Sequence, residues 1–160
     1  MTIKIGDRLP SVEFITTAPD GKQTVTTDGV FVGRKVVLFA VPGAFTPTCS
    51  MAHLPSYIDE YEALKAKGVD TIACTAVNDI DVLRAWSKMS GADGKVMMLA
   101  DGNATFAKAI GLAKDLTVAG MGLRSSRYSM IVDNGVVTHL NIEDKPGLNV
   151  SGADTILTQL

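Results

Sequence analysis

Two long apolar runs, separated by a segment of helical periodicity, most constrain the fold of this 160-residue chain. The runs "KVVLFAV" (35–41) and "VDTIACTAV" (69–77) place apolar residues at consecutive positions, which is typical of strands covered on both faces. Between the runs, apolar residues at helical spacing predict a helix from Leu54 to Leu64 that ends near Gly68. This alternation predicts an α/β fold.

The remaining pattern adds strands and helices to this unit. We predict strands at 12–16 and 95–101, helices at 79–89, 103–110 and 152–160, and a hairpin at 127–142 that turns at Asp133-Asn134-Gly135. The segment Gly111–Ser126 has no clear period and is predicted to be a structured loop near a site. Without a repeat or linker, residues 1–160 are predicted to form a single domain, with a mixed central sheet and helices on both faces.

Charge and cysteine content exclude several function classes. The formal net charge is −2 and no Lys/Arg run occurs, so neither a nucleic acid nor an anionic membrane is an expected partner. The N-terminus has no apolar signal core and no segment is long enough to cross a bilayer, so we expect a cytoplasmic protein. Neither of the two cysteines forms a CxxC pair, and the two histidines lack zinc-ligand spacing. We therefore expect no metal and no cofactor.

One cysteine lies in the loop "VPGAFTPTCS" (41–50), directly after an apolar strand. In an open α/β sheet, ligands bind beyond the carboxyl ends of the strands. Thr46 is suited to the N-cap of the next helix and Pro47 to its first position, which makes Cys49 the third helical residue. Backbone N–H groups and the helix dipole favour an anion there, so Cys49 is a candidate thiolate nucleophile. The alternative is that Cys49 is a small buried apolar residue, as free cysteines often are.

Pro55 complicates the helix that follows Cys49. A proline this far into a helix breaks the hydrogen-bond ladder or kinks it. Either the helix is kinked or Cys49 lies on a separate first turn, and both possibilities leave it at a helix N-terminus.

Several stretches together resemble one protein family. They are "VPGAFTPTCS", "HLPSYI", "AVND", "ADGNATFAKAIGL" and "GMGLRSSRYSMIVDNG", and they resemble the type II (peroxiredoxin-5-like) peroxiredoxins from about Gly6 to the C-terminal helix. The resemblance implies a thioredoxin-like fold with an N-terminal β extension. It also implies an enzyme that reduces hydrogen peroxide and organic hydroperoxides.

The resemblance assigns roles to individual residues. Cys49 matches the peroxidatic cysteine, whose thiolate becomes a sulfenic acid, and Arg127 matches the arginine that holds the thiolate and orients the peroxide. Thr46 and Pro42 match its loop partners; the Thr46 hydroxyl is expected to accept from the peroxide and donate to the sulfur. Arg124 is expected to be a loop residue or a solvated charge. The substrate pocket is expected to include Gly43, Phe45 and Thr48.

The reductant is the more open part of the prediction. Many relatives carry a resolving cysteine near the C-terminus, where this chain has Val150. Cys74 matches a cysteine of plant-like members but is predicted to be a buried strand thiol. We therefore expect a one-cysteine mechanism recycled by glutathione or glutaredoxin. The alternatives are a thioredoxin-recycled peroxidase with Cys74 as resolving cysteine, or a non-enzymatic peroxide sensor that uses the same sulfenic acid.

Two further expectations concern His53 and assembly. His53 follows Cys49 by one helical turn and is expected to pack or hydrogen-bond locally rather than act as a base. The resemblance implies a homodimer whose interface includes the Phe45 region, the Asp79-Ile80 turn and the loop 111–124.

Overall fold

The computed structural model describes every residue from Met1 to Leu160. The strands are β1 (Glu13–Ala18), β2 (Gly21–Thr26), β3 (Lys35–Ala40), β4 (Thr71–Ala76), β5 (Met97–Ala100), β6 (Ala113–Asp115), β7 (Leu123–Ser125), β8 (Tyr128–Asp133) and β9 (Val136–Ile142). The α-helices are α1 (Thr27–Phe31), α2 (Leu54–Asp59), α3 (Tyr61–Ala66), α4 (Ile80–Ser90), α5 (Thr105–Ala109) and α6 (Ala153–Gln159).

Seven strands form one mixed sheet in the order β2-β1-β5-β4-β3-β8-β9. Strands β3, β4 and β5 are parallel, and the pairs β1–β2, β1–β5, β3–β8 and β8–β9 are antiparallel. The parallel strands are those with consecutive apolar residues, because helices must cover both of their faces. The predicted mixed sheet is confirmed.

Strand β3 separates two apolar clusters. Val37 and Phe39 point into one cluster, together with apolar residues of α2, α3, α4 and α6. Val36 and Leu38 point into the other, together with apolar residues of α1 and α5. The period of two along a strand thus distributes its side chains to opposite faces, and the prediction of helices on both faces is confirmed.

The predicted hairpin and the helix at 79–89 are also confirmed. Asn134 and Gly135 have φ values of 52° and 81°, as the two central residues of a type I′ turn require. Asp79 caps α4 by accepting a 2.9 Å hydrogen bond from the backbone N–H of Val82. The helix ends at Gly91, which adopts the left-handed conformation that glycine tolerates best.

Several regions differ from the sequence prediction, among them the edge strand β2, which was not predicted. The helix expected at 54–64 is divided into α2 and α3 at Glu60, whose ψ of 13° departs from helical geometry. The segment 111–126 is a small sheet of β6 and β7 joined through a 3₁₀ turn at Thr117–Ala119, so the loop prediction was wrong for its regular part. The short α1 was missed because it spans little more than one turn. None of the helices is long and apolar enough to span a membrane.

Candidate active site around Cys49

The loop that follows β3 is fixed by hydrogen bonds to its neighbours. The backbone N–H of Ala44 donates to Asn78 Oδ1 at 3.0 Å, and that of Val41 donates to the carbonyl of Thr75 at 3.2 Å. Asn78 follows β4, so the ends of two adjacent parallel strands define the loop. Asn78 was not among the predicted site residues, although it lies just beyond a buried strand, where the ligand sites of open α/β sheets form.

The helix after this loop begins at Pro47, as predicted, and Cys49 is its third residue. Thr46 occupies the cap position, and its carbonyl accepts from the N–H of Ser50 at 2.9 Å. Its hydroxyl, however, donates to the carbonyl of Gly43 at 2.7 Å and caps no helical N–H. The predicted side-chain cap is therefore wrong, because the tight turn at Gly43 offers a nearer acceptor. For the same reason the hydroxyl proton is not directed at Cys49.

A π-helical segment at Cys49–His53 accommodates Pro55. The N–H of Leu54 donates to the carbonyl of Cys49, five residues earlier, before the regular helix α2 begins. A proline ring clashes with the carbonyl four residues before it, here that of Met51, and the wider turn relieves this clash. The chain is helical from residue 47 to residue 59, so the proline causes neither a break nor a separate first turn.

Cys49 is completely buried and contacts one permanently charged group. Arg127, at the residue before β8, places Nη2 3.1 Å from Cys49 Sγ. Guanidinium groups carry only donors and stay protonated, so Sγ is the acceptor in this contact. The structure therefore joins the two residues that the sequence analysis paired, although they are 78 positions apart.

Arg124 lies on β7, and the partners of its side chain are backbone carbonyls. Its Nε donates to Met121 at 2.9 Å, and its Nη1 reaches the carbonyl of Pro42 at 3.5 Å. The expectation of a loop residue is therefore wrong, because Arg124 lies on β7 and pairs with Lys114 of β6. Its hydrogen bonds to carbonyls show that it is not a freely solvated charge either.

His53 is also completely buried, and both of its ring nitrogens have a partner. Nδ1 lies 2.8 Å from Arg127 Nη1, and Nε2 lies 3.0 Å from the carbonyl oxygen of Ser151. Burial, followed by the charge of Arg127, lowers the pKa of His53 to about 3. The expectation of local packing is confirmed, because the centroid of the ring lies 5.8 Å from that of Tyr57, one helical turn on. The hydrogen-bond partners of the two ring nitrogens, however, are distant in sequence.

The carboxylate of Glu143 holds the segment that carries Ser151. Glu143 Oε2 accepts from the backbone N–H groups of Asn149, Val150 and Ser151 at 2.8–2.9 Å, and from the Ser151 hydroxyl at 2.7 Å. Burial raises the pKa of Glu143, but these hydrogen bonds outweigh that effect and lower it below the usual value. Only the structure reveals this role, because a glutamate in a polar segment is an ordinary surface residue in sequence.

Tyr57 supports the same carbonyl. Its hydroxyl donates to Ser151 O at 2.7 Å, and its ring stacks on Phe39 with centroids 4.1 Å apart and planes 6° apart. Such an aromatic pair is worth about 0.5–1.5 kcal/mol beyond its buried area. The carbonyl that accepts from His53 is therefore held from two sides.

Cys74 lies on β4, between Phe39 of β3 and Met98 of β5. It is free and completely buried, in the same apolar cluster as Cys49. Burial, with a smaller contribution from the charge of Cys49, raises the pKa of Cys74 well above its usual value. Cys74 is thus a thiol of the sheet interior.

The remaining predicted pocket residues belong to the loop after β3 and to the first helical turn. Gly43 is buried, Pro42 and Thr48 are half-buried, and Phe45 is 47% exposed with a φ of 66°. A polar cleft of about 240 Å³ opens beside Arg127. Apart from the rings of Pro42 and Pro146, its lining consists of charged residues, one serine and one glycine: Lys114, Ser126, Arg127, Glu143, Asp144, Lys145 and Gly147.

Comparison with known proteins gives matches over nearly the whole chain. The sequence profile of the redoxin family matches residues 4–157. Peroxiredoxin-2C of Oryza sativa subsp. japonica is 46% identical, over 99% of this chain and 98% of that protein. The crystal structure of reduced Prx3 from Vibrio vulnificus in complex with H2O2 is 51% identical, with a TM-score of 0.95 over 99% of both chains. Peroxiredoxin 5 from Alvinella pompejana is 35% identical, with a TM-score of 0.86 over 98% of this chain and 96% of that one.

Proposed function

Because the chain belongs to the redoxin family and is a peroxiredoxin of thioredoxin-like fold, we infer that its activity is that of a thiol peroxidase. We propose that Cys49 is the peroxidatic residue and that glutathione or glutaredoxin recycles it. The predicted family and fold are confirmed. One observation carries the proposed site: the buried Cys49 sulfur lies 3.1 Å from an arginine nitrogen. A buried thiolate is costly unless a partner stabilises it, and Arg127 is such a partner.

The proposed reaction begins with attack of the Cys49 thiolate on the distal oxygen of the hydroperoxide. A sulfur–oxygen bond forms and the oxygen–oxygen bond breaks, so Cys49 becomes a sulfenic acid. Both electrons of the broken bond leave with the proximal oxygen, which takes up one proton to become an alcohol or water. Arg127 faces the sulfur and stabilises the negative charge as it moves onto the leaving oxygen.

The loop completes the proposed peroxide pocket. The Thr46 hydroxyl proton is used by Gly43 O, so the lone pairs of its oxygen are free to accept a hydrogen bond from the peroxide. Pro42 lies beside Arg127 at the polar cleft and shields the sulfur from water. Gly43, Phe45 and Thr48 belong to the same loop and first helical turn and complete the pocket.

Two features support recycling by an external thiol. Val150 stands where a C-terminal resolving cysteine would be needed, and Cys74 is buried in the sheet with a raised pKa. In the proposed cycle, a glutathione thiol attacks the sulfenic sulfur, water leaves, and a second thiol clears the mixed disulfide. The lining of the cleft contains three cationic side chains and two carboxylates, and this excess of positive charge suits a small anionic thiol; the charged residues are Lys114, Arg127, Lys145, Glu143 and Asp144.

The competing route uses Cys74 and thioredoxin. It is favoured by the membership of Cys49 and Cys74 in one apolar cluster. A disulfide requires Cα atoms within about 7 Å and correctly directed Cβ atoms. Because Cys74 lies within β4 and Cys49 within a helix, we expect that the helix would have to unwind for this bond to form.

Peroxide turnover tests both parts of the proposal. We would measure it with glutathione alone, with glutathione and glutaredoxin, and with thioredoxin, in the wild type, Cys49→Ser and Cys74→Ser. We expect turnover with glutathione and glutaredoxin, loss of it in Cys49→Ser, and no change in Cys74→Ser. Thioredoxin-dependent turnover that is lost in Cys74→Ser would replace the proposed reductant. A single stoichiometric oxidation with every reductant would favour a sensor.

We also propose a homodimer in which the loop around Phe45 meets a second copy. Phe45 and Leu123 are exposed apolar side chains near the site, and Val118 is fully exposed at the 3₁₀ turn. Of the Asp79-Ile80 turn only Asp79 is accessible, because Ile80 is buried in the monomer core. Sedimentation should give the mass of two chains, and Phe45→Asp should shift it to one. A wild-type monomer at micromolar concentration would reject this assembly.

A further inference from the structure

We propose that His53 is a positioning residue that fixes Arg127 against Cys49, and that Glu143 orients His53 through the carbonyl of Ser151. These residues form one continuous chain of hydrogen bonds from a carboxylate near the surface to the buried sulfur. The role given to His53 rests on the proposal that Cys49 reacts with the hydroperoxide.

The partners of His53 permit only one form of its ring. Arg127 can only donate, so Nδ1 must carry a lone pair, whereas the Ser151 carbonyl can only accept, so Nε2 must carry the proton. The neutral Nε2–H form satisfies both contacts. The pKa of about 3 keeps the ring neutral throughout the range in which a peroxidase operates.

The contact with His53 determines where Arg127 points. Nη1 donates to His53 at 2.8 Å while Nη2 of the same group donates to Cys49 Sγ at 3.1 Å. A guanidinium group is planar and rigid, so fixing one nitrogen restricts the direction of the other. Without an acceptor at Nδ1, the Arg127 side chain could rotate away from the sulfur.

Glu143 controls the other end of the chain. Its carboxylate gathers the N–H groups of the segment Asn149–Ser151, which presents the Ser151 carbonyl to His53. The backbone N–H of Glu143 donates to the carbonyl of Arg127 at 3.0 Å, so the two residues are also joined by backbone pairing beyond β8 and β9. A substitution at Glu143 should therefore affect the reactivity of Cys49 although Glu143 does not contact the sulfur.

Two substitutions of His53 separate positioning from fold stability. In His53→Asn the amide oxygen can replace Nδ1 and accept from Arg127, whereas in His53→Gln the amide N–H can replace Nε2 and donate to Ser151. Each variant loses one hydrogen bond, so a purely structural role predicts similar losses of stability and similar rates. Our proposal predicts that only His53→Gln separates Arg127 from the sulfur.

We would measure the second-order rate constant for hydrogen peroxide and the pH profile of Cys49 alkylation, mapped by mass spectrometry. His53→Gln should lose about tenfold in rate, and its alkylation profile should move to higher pH, because one charge-assisted contact is weakened. His53→Asn should stay within about threefold of the wild type. His139→Gln, at the other histidine of the chain, is the control and should change neither readout.

Glu143 has its own matched pair. Glu143→Gln keeps the shape and one acceptor oxygen, whereas Glu143→Ala releases the segment, so only Glu143→Ala should reproduce the slower rate and shifted profile.

Equal rates in His53→Asn and His53→Gln would overturn the proposal, as would an Nδ1–H tautomer in the ¹⁵N spectrum of the wild type. Retained peroxide reactivity in Cys49→Ser would instead reject the proposed reacting thiol. If His53→Gln fails to fold, the rates of the two Glu143 variants and the tautomer of His53 in the wild type still test the proposal.

Discussion

The indole N–H of Trp86 donates a 2.9 Å hydrogen bond to the hydroxyl oxygen of Ser50, the residue that follows Cys49. Trp86 is the only tryptophan of the chain and is 1% exposed, in the same apolar cluster as Cys49. Its fluorescence therefore reports on the π-helical segment that carries the thiol.

We expect that one equivalent of peroxide leaves the emission maximum of Trp86 unchanged, because a one-cysteine mechanism needs no unwinding of the segment. A Cys49–Cys74 disulfide would require that unwinding and would shift the emission to the red as the indole meets water. The measurement is an emission spectrum before and after oxidation. Cys49→Ser is the control, and a red shift that also disappears in Cys74→Ser would contradict the one-cysteine mechanism.

Arg127→Lys should lower the rate constant for peroxide by about 100-fold, or ~2.7 kcal/mol. Lysine keeps the charge, but its single nitrogen lacks the planar fork that contacts His53 and Cys49 together. Arg124→Lys provides the matched control, because Arg124 contacts only loop carbonyls here, and it should stay within about threefold. Stopped-flow kinetics measures both, and an equal loss in the two variants would argue against a special position of Arg127.

Thr46→Val should lower the same rate constant by about tenfold, whereas Thr46→Ser should retain most of it. Valine has a similar shape but cannot donate to Gly43 O, so the turn before the helix loses its 2.7 Å hydrogen bond and the pocket loses an acceptor. Thermal melts of both variants show how much of the loss comes from the turn itself. If valine and serine gave the same rate, the hydroxyl would have no part in the reaction.

The depressed pKa of His53 predicts a loss of stability in mild acid. In the unfolded chain His53 titrates near 6.5, whereas in the folded protein its pKa is about 3. The unfolded state therefore binds the proton first, so the stabilisation is complete above about pH 6.5 and declines as the pH falls toward 3. Between pH 6.5 and 4.5 the decline should be on the order of 2 kcal/mol.

Urea unfolding at several pH values measures this slope. The pKa of Glu143 is lowered from 4.5, so its own contribution is lost mainly below this window. His53→Asn removes the titrating group and should flatten the curve between pH 6.5 and 4.5. A slope unchanged in that variant would assign the acid sensitivity to other groups.

Much of the fold follows from local patterns. The strands β3 and β4 are largely apolar, and Asp79, which caps α4, directly precedes the helix. The position of Cys49 also followed from its loop, and the pairing with Arg127 from the family resemblance. The links through His53, Ser151 and Glu143 could not be predicted, because each joins residues that only the folded sheet brings together. The edge strand β2 was missed for another reason: it is largely exposed and lacks an apolar face with period two.

The wide turn at Cys49–His53 has a consequence for transplanting this chemistry to another protein. A helical wheel drawn through Cys49 and Leu54 assigns wrong directions, because the wheel assumes a period that this turn does not keep. Copying the motif onto a regular helix would therefore rotate the thiol relative to everything downstream of Pro55. A designer must reproduce the irregular backbone along with its side chains.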